Sequence, residues 1–96
     1  MSLRFEEEAA HEFYRAIRYY ESKSPGLGGE LLADLDHVGS LLASNPEMGG
    51  PGPSDTRRVL LSRFPCLVGY RLVDGEPIVV AFAHQRQKPG YWLDRI

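Results

Sequence analysis

The sequence contains little that would support a disulfide framework or a membrane span. It has one cysteine, Cys66, which cannot form an internal disulfide, so we expect a reducing compartment such as the cytoplasm. The longest uninterrupted apolar run, residues 78–83, is far shorter than the roughly 20 residues that a membrane helix requires. The first residues, MSLRFEEE, are acidic and lack the apolar stretch of a signal sequence. We therefore predict a cytoplasmic protein with no membrane partner.

The motifs of several common catalytic and binding sites are also missing. The histidines and Cys66 are scattered and form no closely spaced ligand pairs, so we expect no metal, and we expect no cofactor. No serine stands in a nucleophile-elbow motif. The glycine-rich segment at residues 49–52, GGPG, lacks the Gly-Lys-Ser/Thr ending of a phosphate-binding loop. These absences argue against zinc chemistry, serine nucleophiles and P-loop nucleotide binding.

Positive charge is scarce overall but unevenly distributed. The formal net charge is −2. Residues 1–48 carry 4 Lys/Arg against 9 Asp/Glu, whereas residues 49–96 carry 7 against 4. A basic half on an acidic scaffold predicts one face for an anionic partner, either nucleic acid or an acidic peptide segment. Ordinary solvated arginines would explain the same counts, and both interpretations stay open.

What the sequence does contain predicts one small domain, residues 1–96, that begins with two amphipathic helices. A chain of 96 residues buries only roughly 60 to 65% of its unfolded surface, so one modest core must hold it. Apolar residues recur at helical spacing over residues 6–22 and 27–43. The segment Ser24-Pro25-Gly26 ends the first helix, and Asn45-Pro46 ends the second. We expect an antiparallel helical hairpin whose apolar faces pack on a sheet.

The remaining segments predict the sheet. Residues 2–5 could form a short first strand, and the Pro/Gly-rich residues 45–55 are expected to form a loop. Three strands are predicted at residues 57–64, 66–73 and 77–84, with a tight turn at Asp74-Gly75. The last strand is apolar on both faces, which favours a central position. The predicted fold class is α+β: a two-helix antiparallel hairpin packed on a three- to four-stranded antiparallel sheet, in the order short β1, α1, α2 and a β-meander.

Several short motifs, taken together in their order, carry a resemblance to a known family. They are Tyr19-Tyr20, Pro25-Gly26-Leu27-Gly28, Asn45-Pro46, Arg57-Arg58, Arg63-Phe64-Pro65, Tyr70-Arg71, Ala83-His84-Gln85-Arg86 and Pro89-Gly90-Tyr91-Trp92. The chain resembles the RelE/ParE toxin superfamily, most closely its ParE-like branch, from about Phe5 to Arg95. One departure is that only about four residues precede the first helix, which puts a full first strand in question.

The resemblance implies the toxin component of a type II toxin–antitoxin system. Its expected partner is a cognate antitoxin whose C-terminal segment wraps the domain. The expected assembly is either a toxin homodimer or a toxin–antitoxin hetero-oligomer. One branch of the superfamily cleaves messenger RNA in the ribosome. The ParE branch acts on DNA gyrase and is not known as a nuclease. The family therefore offers two different target classes.

Candidate site residues can be assigned for either class. RNA cleavage through the 2′-hydroxyl needs proton transfer and cations around the phosphate, and His84 and Tyr91 are the catalytic candidates if the protein is a nuclease. The residues expected to bind the target or the antitoxin are Arg57, Arg58, Arg63, Arg71, Arg86, Lys88 and Trp92. Structural roles are the alternative: His84 as a rim histidine, Tyr91 and Trp92 as caps on the core, and solvated arginines.

The balance of charge decides between the two classes. Residues 57–92 carry 6 Lys/Arg against 2 Asp/Glu, a thin surplus, and only Arg57-Arg58 stands where the resemblance implies a lysine-rich pattern. This favours a non-hydrolytic toxin that inhibits an essential target such as DNA gyrase and so stops growth. A ribosome-dependent endoribonuclease is the first alternative. A non-toxic family member that only binds its partner is the second.

Overall fold

The computed structural model describes residues 3–84, in which two helices pack on one face of a five-stranded sheet. The elements in chain order are β1 (Arg4–Phe5), α1 (Glu7–Lys23), α2 (Leu27–Ser44), β2 (Gly50–Pro51), a 3₁₀ turn (Pro53–Asp55), β3 (Arg57–Leu60), β4 (Cys66–Val73) and β5 (Glu76–His84). No helix in these residues is long and apolar enough to cross a bilayer. The α+β class and the helical hairpin predicted from the sequence are confirmed.

Helix α1 follows the predicted apolar stripe closely. Ala9 and Phe13 are buried, and Ala16, Ile17 and Tyr20 pack against the same core. Glu7 and Glu8 lie in the first turn, where carboxylates interact favourably with the positive end of the helix dipole. The helix ends at Lys23, one residue later than predicted, because the following Pro25 cannot continue it.

Backbone N–H groups at the start of α2 donate hydrogen bonds to a carboxylate of α1. Glu21 accepts hydrogen bonds from the backbone N–H groups of Gly26 and Gly28, each at 2.9 Å. These bonds lower the pKa of the Glu21 carboxyl. Gly26 has a φ of 90°, a left-handed conformation that glycine adopts without steric cost. At Gly28 the helices approach so closely that a Cβ would lie 3.0 Å from the carbonyl oxygen of Ile17.

The sheet has the strand order β1-β5-β4-β3-β2 and is mixed, so the prediction of a purely antiparallel sheet was wrong in this respect. Strand β1 runs parallel to β5, with Arg4 opposite Ile78, and the other pairs are antiparallel. The chain passes through both helices between β1 and β5. No tight hairpin therefore forces these two strands to run antiparallel. The backbone N–H of Glu6 donates to the Val79 carbonyl at 2.9 Å and extends this pairing to the start of α1.

Two further details differ from the sequence-based expectation. Strand β3 ends at Leu60 rather than at residue 64, because the carboxylate of buried Asp34 in α2 holds the following corner. Its oxygens accept hydrogen bonds from the Ser62 hydroxyl at 2.8 Å and from the Arg63 backbone N–H at 2.9 Å. The predicted loop at 45–55 also contains β2, whose Gly50 pairs with Arg58.

The β4–β5 hairpin matches its prediction well. Strand β4 has the predicted bounds, and β5 begins one residue early and ends at His84 as predicted. Asp74 and Gly75 both have positive φ, at 53° and 81°, as the two central residues of a type I′ turn require. Strand β5 lies between β1 and β4, inside the sheet rather than at its edge.

The core fills the space between the helices and one face of the sheet. Phe13 of α1 contacts the rings of Phe5 and Phe82, with centroid distances of 5.8 Å and 5.0 Å. The largest fully buried side chains of this core are Tyr70, Leu31, Leu42, Val68 and Val79, whereas the equally buried Val80 belongs to a separate small cluster with Ala81 and Leu67. This packing places the second half of α1 beside the ends of β4 and β5, where the candidate site lies.

Candidate functional site

A cavity of about 260 Å³ opens between α1 and the adjoining ends of β4 and β5. Helix α1 contributes Glu12, Arg15, Tyr19 and Tyr20 to its wall. The helix presents these residues together because positions three, four and seven apart share one face. Cys66 begins β4 and His84 ends β5, so the register that pairs these two residues closes the strand side.

The inner wall of the cavity is formed by two groups that stay protonated at neutral pH. Burial raises the pKa of the Cys66 thiol, and a hydrogen bond with Tyr20 opposes this rise only in part. Burial, followed by the proximity of Cys66, raises the pKa of the Tyr20 phenol. The Tyr20 ring also packs edge-on against Phe64, with centroids 4.9 Å apart. Cys66 is thus a hydrogen-bonded, buried thiol rather than an activated nucleophile.

The rim of the cavity is more polar than its interior. The Tyr19 side chain is 56% exposed, and the Lys23 ammonium lies 5.1 Å from its ring centroid. Arg15 is exposed and forms no ion pair or hydrogen bond with any residue in 3–84. Glu12 accepts a hydrogen bond from the backbone N–H of Phe82 at 3.1 Å. The carboxylate therefore joins α1 to β5, while the guanidinium of Arg15 faces solvent.

His84, the described candidate for proton transfer, lies in this cavity. It pairs directly with Cys66, and paired residues project their side chains to the same face of a sheet. Cys66 belongs to the core between sheet and helices, so His84 also projects towards α1. His84 is half-buried there, which is compatible both with a structural rim histidine and with contact to a partner.

Arg57, predicted as a binding residue, holds a loop of its own chain. Its Nη1 donates to the carbonyl oxygens of Glu47 and Gly49, at 2.9 Å and 3.0 Å. Beside it, the fully buried Tyr70 donates its hydroxyl proton to the Pro46 carbonyl at 2.7 Å and accepts a bond from the Gly49 N–H at 3.0 Å. Arg57 and Tyr70 together fasten residues 46–49 to the sheet.

The other predicted binding arginines that the structure describes lie at separate places. Arg63 forms an ion pair with Glu30 of α2 at 2.6 Å, and Arg71 lies 3.6 Å from the Glu6 carboxylate. Arg58 is exposed, and it points away from the helices because its neighbour Val59 packs on the helix-facing core.

The guanidinium of Arg71 is partly buried on the face of the sheet opposite the helices. Its Nε is buried and has no hydrogen-bond partner in the described part of the chain, and Tyr70 and Leu72 on either side of it pack on the helix-facing core. Arg71 therefore shares the opposite face of the sheet with Arg58. The structure does not gather Arg57, Arg58, Arg63 and Arg71 around His84, and Arg15 is the one described arginine that lines the same cavity.

The remaining predicted site residues, Tyr91, Arg86, Lys88 and Trp92, lie outside the described residues. Within residues 3–84, no three His, Cys, Asp or Glu side chains are arranged to hold a metal ion.

The sequence did not single out Glu12, Arg15, Tyr19 or Tyr20 as site residues, although Tyr19-Tyr20 is one of the motifs that carry the family resemblance. The available signal was the helical spacing of Glu12, Arg15 and Tyr19 beside the apolar stripe of α1. That spacing predicts a shared face, but only the packing of α1 on the strand ends turns this face into a cavity wall.

Comparisons with known proteins place the fold and the family. A family model described as "ParE toxin of type II toxin-antitoxin system, parDE" matches residues 3–89. Among solved structures, a chain described as "Chromosomal ParDE TA system from P. aeruginosa" is similar, with a TM-score of 0.71 and 20% sequence identity, covering 88% of this chain and 95% of that chain. At this identity the structural match shows a shared fold alone. A comparison with curated proteins finds no match.

Proposed function

Because the chain belongs to the ParE toxin family of type II toxin–antitoxin systems, we propose that it stops growth by binding DNA gyrase and that a cognate antitoxin neutralises it in the cytoplasm. In this proposal the protein acts by binding and does not cleave RNA. The family implies an antitoxin partner. The choice of gyrase over the ribosome needs support from the residues themselves.

The observation that carries the choice is the separation of His84 from Arg57, Arg58, Arg63 and Arg71, which leaves Arg15 as the one described arginine that lines the cavity with His84. Cleavage through a 2′-hydroxyl needs an acid, a base and cations that converge on one phosphate. His84 projects towards α1, whereas Arg58 and Arg71 lie on the opposite face of the sheet. Arg57 and Arg63 are engaged by carbonyl and carboxylate oxygens of the chain itself. This arrangement supports a binding toxin over a phosphodiester-cleaving one.

Charge and apolar surface together support a protein partner for neutralisation. Arg58 and Arg15 are exposed and would attract an acidic segment. Tyr14, Tyr19 and Leu60 are more than half exposed and would be covered by apolar side chains. Antitoxin binding is therefore expected to weaken only partly at high salt, because screening acts on charges and not on apolar burial. Loss of all binding at moderate salt would contradict this description.

Induction of the protein in cells, followed by two measurements, tests the proposal. The supercoiling of a reporter plasmid reports on gyrase, and the 5′ ends of messenger RNA report on ribosome-phased cuts. We expect loss of supercoiling with intact transcripts. Phased cuts with normal supercoiling would show a ribosome-dependent endoribonuclease instead. Normal growth at high levels of soluble, folded protein would show a non-toxic member that only binds its partner.

A double variant tests the basic end of the chain under either mode of toxicity. His84→Ala combined with Arg86→Ala is expected to abolish growth inhibition while changing the melting temperature little. Arg18→Ala serves as the control, since Arg18 is an exposed cation on α1 outside the cavity. Growth inhibition by the double variant at the wild-type level would refute this site.

A further inference from the structure

We propose that the cavity between α1 and the ends of β4 and β5 is an anchor site for one aromatic side chain with a neighbouring carboxylate, supplied by a peptide segment of the partner. The inference deepens the proposed antitoxin partnership and rests on it. The size of the cavity, its protonated inner wall and a rim cation that has no partner within residues 3–84 each point to this occupant.

The size of the cavity fits a single large side chain. Its volume of about 260 Å³ is below the roughly 300 to 1,000 Å³ of typical small-molecule sites. Phe82 and Tyr20 form apolar surface inside, and Tyr19 stands exposed at the mouth. Edge-to-face and offset contacts between aromatic rings favour an aromatic occupant over an aliphatic one. Buried aromatic anchors in such pockets commonly carry much of the binding energy of a protein interface.

The interior is suited to an uncharged group. The Tyr20 phenol and the Cys66 thiol both have raised pKa values, so neither carries charge at neutral pH. They are hydrogen-bonded to each other, so neither group requires a hydrogen bond from a ligand. A ring can therefore enter without stranding a buried charge.

The rim is suited to one carboxylate. The Arg15 guanidinium has no partner among residues 3–84 and lines the cavity. A planar guanidinium binds a carboxylate through two parallel hydrogen bonds. A polyanion such as nucleic acid is disfavoured, because Glu12 also lines the cavity and Glu7, Glu8 and Glu21 lie on the same helix. These charges favour a peptide with a single acidic residue beside its aromatic anchor.

A titration followed by two-dimensional ¹H–¹⁵N NMR tests the site without the antitoxin. The probe is N-acetyl-Phe-Glu-amide, and we expect saturable shifts of the backbone amides of Ala16, Tyr20 and Cys66. The comparison probes are N-acetyl-Phe-Lys-amide, which reverses the charge, N-acetyl-Gly-Glu-amide, which lacks the ring, and adenosine monophosphate. Each comparison probe is expected to bind at least about fivefold more weakly, the size of one ion pair or one ring contact.

A matched pair of charge reversals on α1 separates the site from general electrostatics. Arg15 and Arg18 are both exposed arginines one helical turn apart, and only Arg15 lines the cavity. Arg15→Glu is expected to weaken the Phe-Glu probe by about fivefold or more, and Arg18→Glu by less than about twofold. The unperturbed part of each spectrum reports that the variant is folded.

Three results would overturn the inference. They are the absence of saturable shifts at the cavity, equal weakening by both arginine variants, and tighter binding of adenosine monophosphate than of the Phe-Glu probe. None of these measurements depends on toxicity. If the protein failed to inhibit growth while the peptide still bound through Arg15, the proposed function would fail and the anchor site would stand. If toxicity and gyrase inhibition were observed without peptide binding, only the anchor site would fail.

Discussion

Two tyrosine hydroxyls at different places in the molecule have different roles. Tyr70 is fully buried, and its hydroxyl both donates to Pro46 and accepts from Gly49. Tyr20 is half-buried, and its phenol contacts the weakly hydrogen-bonding thiol of Cys66 in the wall of a cavity. The first tyrosine closes a loop onto the sheet, whereas the second leaves space beside it.

The two tyrosines also differ in how tightly their surroundings are packed. The Tyr70 hydroxyl packs tightly against the loop, since a Cβ on Gly49 would lie 2.7 Å from it, and Arg57 donates to two carbonyls of the same loop. Around Tyr20 the cavity stays open, and the nearby Arg15 has no partner within residues 3–84. Polar groups whose hydrogen bonds are made within the chain stabilise the fold. Those left at a rim are available to another molecule.

The largest effect is expected at Tyr70. Tyr70→Phe removes the hydroxyl and leaves the buried N–H of Gly49 and the Pro46 carbonyl without their partner, which should lower the free energy of unfolding by about 1 to 3 kcal/mol. The measurement is denaturant unfolding at equilibrium. Tyr20→Phe is the matched control and should cost less than about 1 kcal/mol, because a thiol is a weak hydrogen-bond partner. Equal losses in the two variants would remove the contrast.

An intermediate effect is expected for two adjacent arginines. Arg57→Ala removes both bonds to the loop carbonyls and should lower the free energy of unfolding by about 1 kcal/mol. Arg58→Ala, on the exposed face, should change it by less than about 0.5 kcal/mol. Thermal melts of both variants check this order. A larger loss from Arg58 than from Arg57 would contradict the structural role of Arg57.

The smallest effect concerns the pH dependence of Cys66. Burial raises the pKa of this thiol, and the hydrogen bond with Tyr20 lowers it again in part. Tyr20→Phe removes the group that favours the thiolate, so the pKa of Cys66 should rise further and less thiolate should be present at any given pH. Alkylation by iodoacetamide, followed as a function of pH, should therefore show its midpoint at higher pH in the variant. A midpoint that moves to lower pH would contradict the hydrogen bond.

Local patterns in the sequence were sufficient to predict much of the fold. The apolar stripe of α1, the stop at Ser24-Pro25-Gly26 and the Asp74-Gly75 turn each act over a few residues, so their consequences could be predicted without tertiary information. The direction of β1 and the end of β3 could not. The direction of β1 depends on where the chain enters the sheet again after the helical hairpin. The end of β3 depends on Asp34, a residue 29 positions before Arg63.

The candidate site was predictable only in part for the same reason. His84 was selected from the chemistry of its side chain and from its place at the end of a strand, and the structure places it in the cavity. Arg57 was selected for its charge, yet its guanidinium is used by carbonyls eight and ten residues away. Charge along a chain shows which groups could bind an anion. It does not show which of them are already engaged.

Local sequence therefore determined the helices and the β4–β5 hairpin, because these depend on residues close together in the chain. The sequence also showed the absence of metal-ligand spacing and the resemblance to a toxin family. Tertiary packing alone decided the mixed sheet, the loop held by Tyr70 and Arg57, and the cavity between α1 and the strand ends. Each of these requires residues far apart in the chain to meet. The distances between their side chains follow from the packing of whole elements, which no single segment specifies.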